Sequence, residues 1–391
     1  MASAENDTPA TPALLLGGAD NLVAAARCLV ADGIEVVTIA EPSAPGHRVR
    51  GVTARPLPGE VTEVALVEWF EANGAEWEGA VLIALSDPAM HFVVHHHDAL
   101  RARFAPATLD PDVMDAVLDK QRTVELAEQH GIAAPRLWQV DDRADIDLVL
   151  DEVVYPVIVK PRHTYELVRR RGRKYLSASN ATQLRAQADE LFDLPGGFMV
   201  SEFIPGPDSL LSSYNAVVAD DGTTIVEFTK RVERRFPVNE GPGTLHQMVH
   251  LPATVEVGRR FFEALEVRGV ANVEFKLDTR DGQLKVIECN HRMTAALPLI
   301  HAAGIPLASI VYRQALGDVE PIEVTPDERW YWYPWGDLKA VRSTAGFNPL
   351  DWVKVLPRRA VKPYWSMSDL GPTIANSRNK IGGMVARKIG R

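Results

Sequence analysis

The sequence predicts a chain of mixed class. A parallel α/β domain comes first, then an α+β region with a small subdomain and an antiparallel-sheet domain, then a C-terminal extension. Three observations carry this. Residues ALLLGG (13–18), LVAAARCLVADG (22–33) and IEVVTIA (34–40) read strand, helix, strand with short turns, the βαβ pattern of a parallel sheet. SYNAVVADDGTTIVEFTKR (213–231) and ANVEFKLDTRDGQLKVIECN (271–290) each place two strand-like runs around an Asp-Gly turn, a signal for antiparallel hairpins. At 391 residues the chain is also too long for one small core.

The elements follow in order. Residues 1–12 read as a disordered tail. Residues 13–105 form the α/β domain, with a later strand at GAVLIAL (79–85). PDVMDAVLDKQRTVELAEQHGIAAP (111–135) has helical spacing, a stop at Gly131 and a block at Pro135. VVYPVIVKP (153–161) is a strand closed by a lysine, and NATQLRAQADELF (180–192) is a helix with Asn180 as its N-cap. FMVSEFIPG (198–206) is a strand ended by Pro and Gly. The middle of the chain is thus α+β with antiparallel hairpins, unlike the N-terminal part. Residues 319–391 change character: WYWYPW (330–335) concentrates aromatics, and basic residues far outnumber acidic ones from Lys354 onward.

Composition narrows the function. Hydrophobic content of 46% and charged content of 24% are ordinary for a folded protein. A net charge of -10 argues against sequence-independent binding along nucleic acid, which needs clustered Lys and Arg. Two distant cysteines, Cys28 and Cys289, make neither a disulfide framework nor a CxxC zinc pattern, so a cytoplasmic setting is expected. The polar, acidic start does not read as a signal peptide, and no apolar run is long enough for a transmembrane segment.

The informative stretch is VIECNHR (286–292). With a five-residue loop at 279–283, Glu274 lies opposite Glu288 and Asn272 opposite Asn290. Like charges facing each other in a sheet repel, and a cation between them removes that penalty. Two carboxylates and an amide oxygen suit Mg²⁺. Arg292, two positions on, suits a transferring phosphoryl group. The plain alternative is the solvated polar face of a surface strand. Lys120 on its helix and Lys160 at the end of VIVKP add cations. RHTYELVRRRGRK (162–174) is a basic loop in an acidic chain, which suggests a polyphosphate, while an exposed loop is the simpler reading.

These pieces, in this order, resemble the ATP-grasp superfamily. The matching stretches are DKQRTVELAEQHGIAAP (119–135), VIVKP (157–161), SEFIPGPD (201–208) and VEFKLDTRDGQLKVIECNHR (273–292). FIPGPD and the KR-x-x-RRFP run are similar to the carboxylate–amine ligase branch around D-aspartate ligase, the biotin-carboxylase-related carboligases. The resemblance implies the ATP-grasp fold, an ADP-forming ligase, and ATP with Mg²⁺, or Mn²⁺ in its place. It implies that Lys120 and Lys160 contact phosphates and that the main chain of SEFI recognises adenine, with Glu202 and the backbone of Ile204. Asp208 takes the ribose. Glu274, Glu288 and Asn290 hold the metal, and Arg292 faces phosphate and the reacting carboxylate. Lys230, Arg231 and Arg235 fall among substrate- or phosphate-facing basic residues. The family's glycine-rich phosphate loop is replaced by a basic loop with one glycine, Gly172, so side chains, Lys174 first among them, take over part of its work. The arginine of D-Ala–D-Ala-type ligases is Asn272 here, which argues against that substrate class. The resemblance implies an ATP-grasp domain over 106–318, with a small subdomain spanning 136–197 as its lid. The expected partners are small carboxylates and amines, and homodimers are frequent in the superfamily.

Two other functions fit less of the sequence. A bicarbonate-using carboxylase lacks a biotin-carrier segment here, and a non-catalytic ATP-binding scaffold has no need of both metal carboxylates. LLLGGADN (14–21) lacks GxGxxG, and consecutive His95, His96 and His97 do not face one ligand from a helix. The basic C-terminal region suits either an anionic membrane surface or cell-envelope precursor, or, more simply, an extension packed on the core.

Overall fold

The computed structural model describes residues 11–107, 111, 113, 120–161, 167, 175–193, 197–239, 241–343, 352 and 360–389. Three sheets organise them. The first contains β1 (Ala13–Leu16), β2 (Val36–Ile39), β3 (Val52–Ala54), β4 (Val81–Ala84) and β5 (Ala105–Pro106) in the order β3-β2-β1-β4-β5. Its ladders are all parallel. Helices α1 (Asp20–Ala31), α2 (Glu63–Asn73), α3 (Asp87–His95) and α4 (His97–Arg101) connect the strands. Strand order reverses between β1 and β4, so a crevice opens at their carboxyl ends, where open α/β sheets bind ligands. Gly17 and Gly18 turn there at φ 68° and 94°, backbone that a side chain rarely tolerates.

Helix α5 (Lys120–Gln129) follows, and Gly131 ends it at φ 66°, as the sequence predicts. The second sheet holds β6 (Leu137–Val140), β7 (Val157–Pro161), β8 (Leu176–Ala178) and β9 (Phe198–Glu202) in the antiparallel order β6-β9-β7-β8. Helices α6 (Arg143–Glu152) and α7 (Ala181–Leu191) bury Ile146, Val149, Leu184, Ala188 and Leu191 in the core of this layer. The Asn180 side chain accepts the Gln183 N–H at 2.9 Å and caps α7. Strand β9 stops at Glu202, short of the expected 206, because Pro205 offers no N–H and Gly206 turns at φ 102°.

The third sheet positions the site. Its strands are β10 (Leu211–Val218), β11 (Thr224–Arg235), β12 (Gly243–Met248), β13 (Gly269–Leu277), β14 (Leu284–Asn290), β15 (Trp330–Trp332) and β16 (Ala360–Val361). They run in the order β14-β13-β10-β11-β12-β15-β16. One face packs Tyr214, Phe275 and Val286 against Phe261 and Phe262 of α8 (Pro252–Ala264). That helix approaches closely because it carries Gly258 over Tyr214, where an added Cβ would lie 2.3 Å from the ring. Gly258→Ala is therefore expected to lower stability by about 1–3 kcal/mol by overpacking, measured as a fall in the urea midpoint with an unchanged slope.

The opposite face buries Val217, Val226 and Phe228 with α1, α9 (Leu297–Ala302) and α10 (Leu307–Ala315). The sheet runs through the domain boundary expected at residue 318: β15 pairs with β12, and β16 with β15. Helices α11 (Pro334–Arg342) and α12 (Gly371–Ile389) follow. The C-terminal segment also clamps the first domain. Arg27 pairs with Asp369 at 2.9 Å, the Tyr331 hydroxyl donates to Asp20 at 2.8 Å, and Asn379 donates to the Ser43 carbonyl at 2.8 Å.

Candidate active site

The second hairpin carries the carboxylates. In the ladder of β13 with β14, Asn272 faces Asn290 and Glu274 faces Glu288, the expected pairs. The route to that register differs. Leu277 faces Leu284, so the loop holds six residues, Asp278–Gln283, instead of five. A bulge between Glu274 and Phe275 absorbs the extra residue, because Phe275 faces Val286 and Ile287 is left over. Bulges re-aim side chains next to functional sites, and this one returns both glutamates to one face.

Facing residues on neighbouring strands share a face, so the ladders extend this row across the sheet. Glu288 faces Glu274, Glu274 faces Ser213, and Ser213 faces Lys230. The next row is Asn290, Asn272, Asn215 and Phe228. Lys230 is 2% exposed. Burial pushes its pKa below the usual lysine range, and the Glu274 charge pulls it back. Asn290 Nδ2 donates to Glu288 Oε1 at 3.0 Å, so Oδ1 is the atom Asn290 can offer a cation. Two facing carboxylates and an amide oxygen, with no sulfur or imidazole among them, fit a hard divalent ion. Among the described residues there is no group of three His, Cys, Asp or Glu that could hold a metal, so the amide is needed to complete this donor set.

Arg292, just beyond β14, donates through Nε to Asp87 of α3 at 2.7 Å. Asn21 fastens the same corner: its Nδ2 donates to the Leu85 carbonyl at 2.7 Å and to the Met293 carbonyl at 2.9 Å. The crevice at β1 and β4 is thus tied to the end of the carboxylate strand. Beside it, Asn215, Asn272, Arg292 and Thr294 line a cavity of about 10 Å³. The Asn272 side chain is buried, and neither its nitrogen nor its oxygen has a hydrogen-bond partner among the described residues. A buried amide left unpaired is costly and marks a place where structure serves something other than stability.

The remaining predicted residues divide. Lys160, facing Met199 on β9, lies in the sheet that carries Glu202. Glu202 is engaged by Arg280 and Lys285, which also hold the buried Asp278. It ties the end of β9 to the hairpin turn. Ile204 is buried. Asp208 is buried and paired with Arg235 at 2.8 Å. Arg231 is not brought to the site. It faces Ser212, which faces Phe275, and so shares the α8 face, with Glu233 at 3.8 Å. Strand alternation forces this: Lys230 and Arg231 are consecutive and cannot share a face. Lys120 opens α5, but its side chain lies outside the described residues, as does Lys174 with most of the 162–174 loop. Of the three histidines, His95 and His96 meet Glu63 and His97 meets Asp98. Cys289 is buried on the α8 side, and Cys28 contacts Ser309.

Two neighbours of the site are not among the residues expected from sequence. Asp87 carries no local signal, because Arg292 is 205 residues away. Lys276 has one: Asn272, Glu274 and Lys276 alternate on one strand. Lys276 Nζ donates to the Gly206 carbonyl at 2.9 Å, and burial and Arg235 push its pKa down to about 8. It joins the β9 exit to the carboxylate face. If it serves nucleotide binding, kcat/KM for ATP falls as pH rises through about 8, where Lys276 loses its charge. Lys276→Arg should keep the profile flat through that range, because the guanidinium does not titrate there.

Comparisons with known proteins bear on the family and the fold. Residues 198–333 match the family model described as ATP-grasp in the biosynthetic pathway with Ter operon. The chain therefore carries an ATP-grasp domain. It is similar to D-aspartate ligase of Enterococcus faecium, with 24% identity over 63% of this chain and 61% of that protein. The chain thus spans less than two thirds of that relative. Its fold is similar to the L-amino acid ligase of Bacillus licheniformis, with TM-score 0.63 and 19% identity over 82% of this chain and 78% of that one. It is also similar to the biotin carboxylase domain of Hydrogenobacter thermophilus 2-oxoglutarate carboxylase, solved with MgADP and bicarbonate. There the TM-score is 0.64, with 15% identity over 81% of this chain and 71% of that one.

Proposed function

We propose that this protein is an ADP-forming ligase that joins a small carboxylate, such as an amino acid, to an amine through an acyl phosphate. One observation carries the reading: the bulged ladder that sets Glu274 against Glu288, with Asn290 and Lys230 on the same face. That row suits phosphoryl chemistry, and its facing carboxylates by themselves weaken the sheet.

Glu274, Glu288 and Asn290 would hold Mg²⁺, which supplies charge neutralisation at the phosphates when bound. A carboxylate is a poor electrophile until one oxygen is converted to a leaving group. Its oxygen attacks the γ-phosphorus of ATP, the bond to the β-phosphate oxygen breaks, and ADP leaves. Lys230 and Arg292 stabilise the negative charge on the transferring group. The amine then attacks the acyl carbon, loses a proton, and inorganic phosphate departs. Asn272 can contact the acid or the tetrahedral intermediate with its amide, which favours an uncharged or weakly charged group at that point. Lys276 and Asp208 would serve the nucleotide side, Lys120 and Lys160 its phosphates, and the β6-β9-β7-β8 layer would close over it to exclude water. Arg235 acts through Asp208, as a positioning residue.

The experiment is ADP release with Mg-ATP and a panel of amino acids, other carboxylates and bicarbonate, with hydroxylamine as the trapping amine. A hydroxamate formed from one acid supports the reading and names the acid. ADP release with bicarbonate alone would instead support carboxylase-like chemistry. Tight ATP binding with no ADP from any acid would support a scaffold.

A further inference from the structure

The far end of the chain takes no part in that chemistry. Residues 354–391 carry nine basic side chains and one acidic one, Asp369, in a chain of net charge -10. Positive charge is therefore concentrated in this segment, as it is in the separate 162–174 loop. The same segment exposes apolar side chains: Trp365 is 55% exposed, Met367 86%, Leu370 45%, Ile374 50% and Ile381 57%. Single exposed apolar residues are ordinary, but five within seventeen positions are not.

The spacing of Leu370, Ile374 and Ile381 gives these three one surface. The Ile374 N–H donates to the Leu370 carbonyl, so Leu370 sits one turn before Ile374 on the axis of α12. Leu370, Ile374, Arg378 and Ile381 then follow at intervals of four, four and three, a single helical stripe. The helix is held by other positions. Asn379 donates to the Ser43 carbonyl, Thr373 to the Tyr364 carbonyl, and Lys380 lies over the Tyr333 ring at 4.6 Å. Arg27, which pairs with Asp369, pins the preceding turn. The stripe is thus presented outward on a fixed element.

We infer that α12 and the turn before it form a docking surface for an anionic lipid membrane, on which the enzyme lies without crossing. The charge chooses the occupant. A helix with apolar residues and the exposed Arg378 on one outer stripe, in a segment of nine basic side chains, matches the boundary between acyl chains and acidic headgroups. The net negative charge of the remaining chain is repelled by the same membrane, which favours approach by this face. Trp365 and Met367 reach the interface ahead of the helix. Among the described residues no helix is long and apolar enough to span a bilayer, consistent with contact at one surface.

The test is cosedimentation of the full chain with vesicles of phosphatidylcholine alone or with about one third phosphatidylglycerol. Binding is expected only to the vesicles with phosphatidylglycerol, and high salt should release it. The double variant Ile374→Glu, Ile381→Glu should lower the bound fraction about tenfold or more, with an unchanged unfolding midpoint. Arg378→Glu, which alters charge alone, should weaken binding without changing the apolar stripe. Equal binding to both vesicle types, no binding to either, or a double variant that binds as the parent would overturn the inference. So would a parent chain that ignores vesicles and self-associates through the stripe, because the occupant would then be a second copy. None of these results depends on the ligase reaction.

Discussion

Glu288→Gln is expected to lower ADP release by on the order of 10³-fold or more while the protein stays folded. The substitution keeps shape and hydrogen bonding but removes one of the two facing charges. In the sheet alone that change is favourable, since Glu274 loses a like-charged neighbour. The unfolding midpoint should therefore hold or rise while activity collapses. The opposition of the two effects is diagnostic: a carboxylate kept for stability would lose both together. Steady-state ADP release and thermal unfolding of the same sample read both. Activity within about tenfold of the parent would remove Glu288 from the catalytic machinery.

Asp337→Ala is expected to act in the other direction, on the fold first. Asp337 is fully buried on α11 and accepts hydrogen bonds from four side chains. Arg234 donates through Nε at 2.6 Å and through its terminal nitrogen at 3.0 Å. Thr244 donates at 3.3 Å, and the indoles of Trp332 and Trp352 at 3.1 and 2.9 Å. Removing the carboxylate strands a guanidinium and two indole N–H groups at the edge where β15 joins β12. Breaking a buried pair on one side costs about 3–5 kcal/mol, and Arg234 is partly exposed, so the lower end is expected. Urea unfolding gives the size of the effect. Asp337→Asn keeps an acceptor for the indoles and should recover part of the loss. A loss under about 1 kcal/mol in the alanine variant would mean that the network does not hold the C-terminal strands.

The carboxylate hairpin is legible in the sequence because alternation and an Asp-Gly turn are local signals. Even there the expected loop is one residue short, and the bulge at Ile287 compensates, so Glu274 still meets Glu288. A bulge has no sequence signature of its own in this stretch. The βαβ start and the caps at Asn180 and Gly131 are legible for the same reason. What escapes is long-range. Nothing near Arg292 announces Asp87, and nothing near Glu202 announces the Arg280 and Lys285 that occupy it. Family resemblance groups Arg231 with Lys230, although strand alternation alone separates them. The C-terminal strands β15 and β16, of three and two residues, are too short for a period to show. They exist because an existing sheet edge offers them a partner.

In the proposed reaction the acid is activated by phosphorylation on its own carboxylate. Once the acid is identified, the most direct measurement is turnover with that acid labelled with ¹⁸O in both carboxylate oxygens, followed by mass analysis of the phosphate released. The acyl-phosphate route predicts one labelled oxygen in each inorganic phosphate, because the bridging oxygen leaves with phosphorus when the amine attacks. Unlabelled phosphate alongside labelled product, or label recovered in a nucleotide monophosphate, would contradict the account.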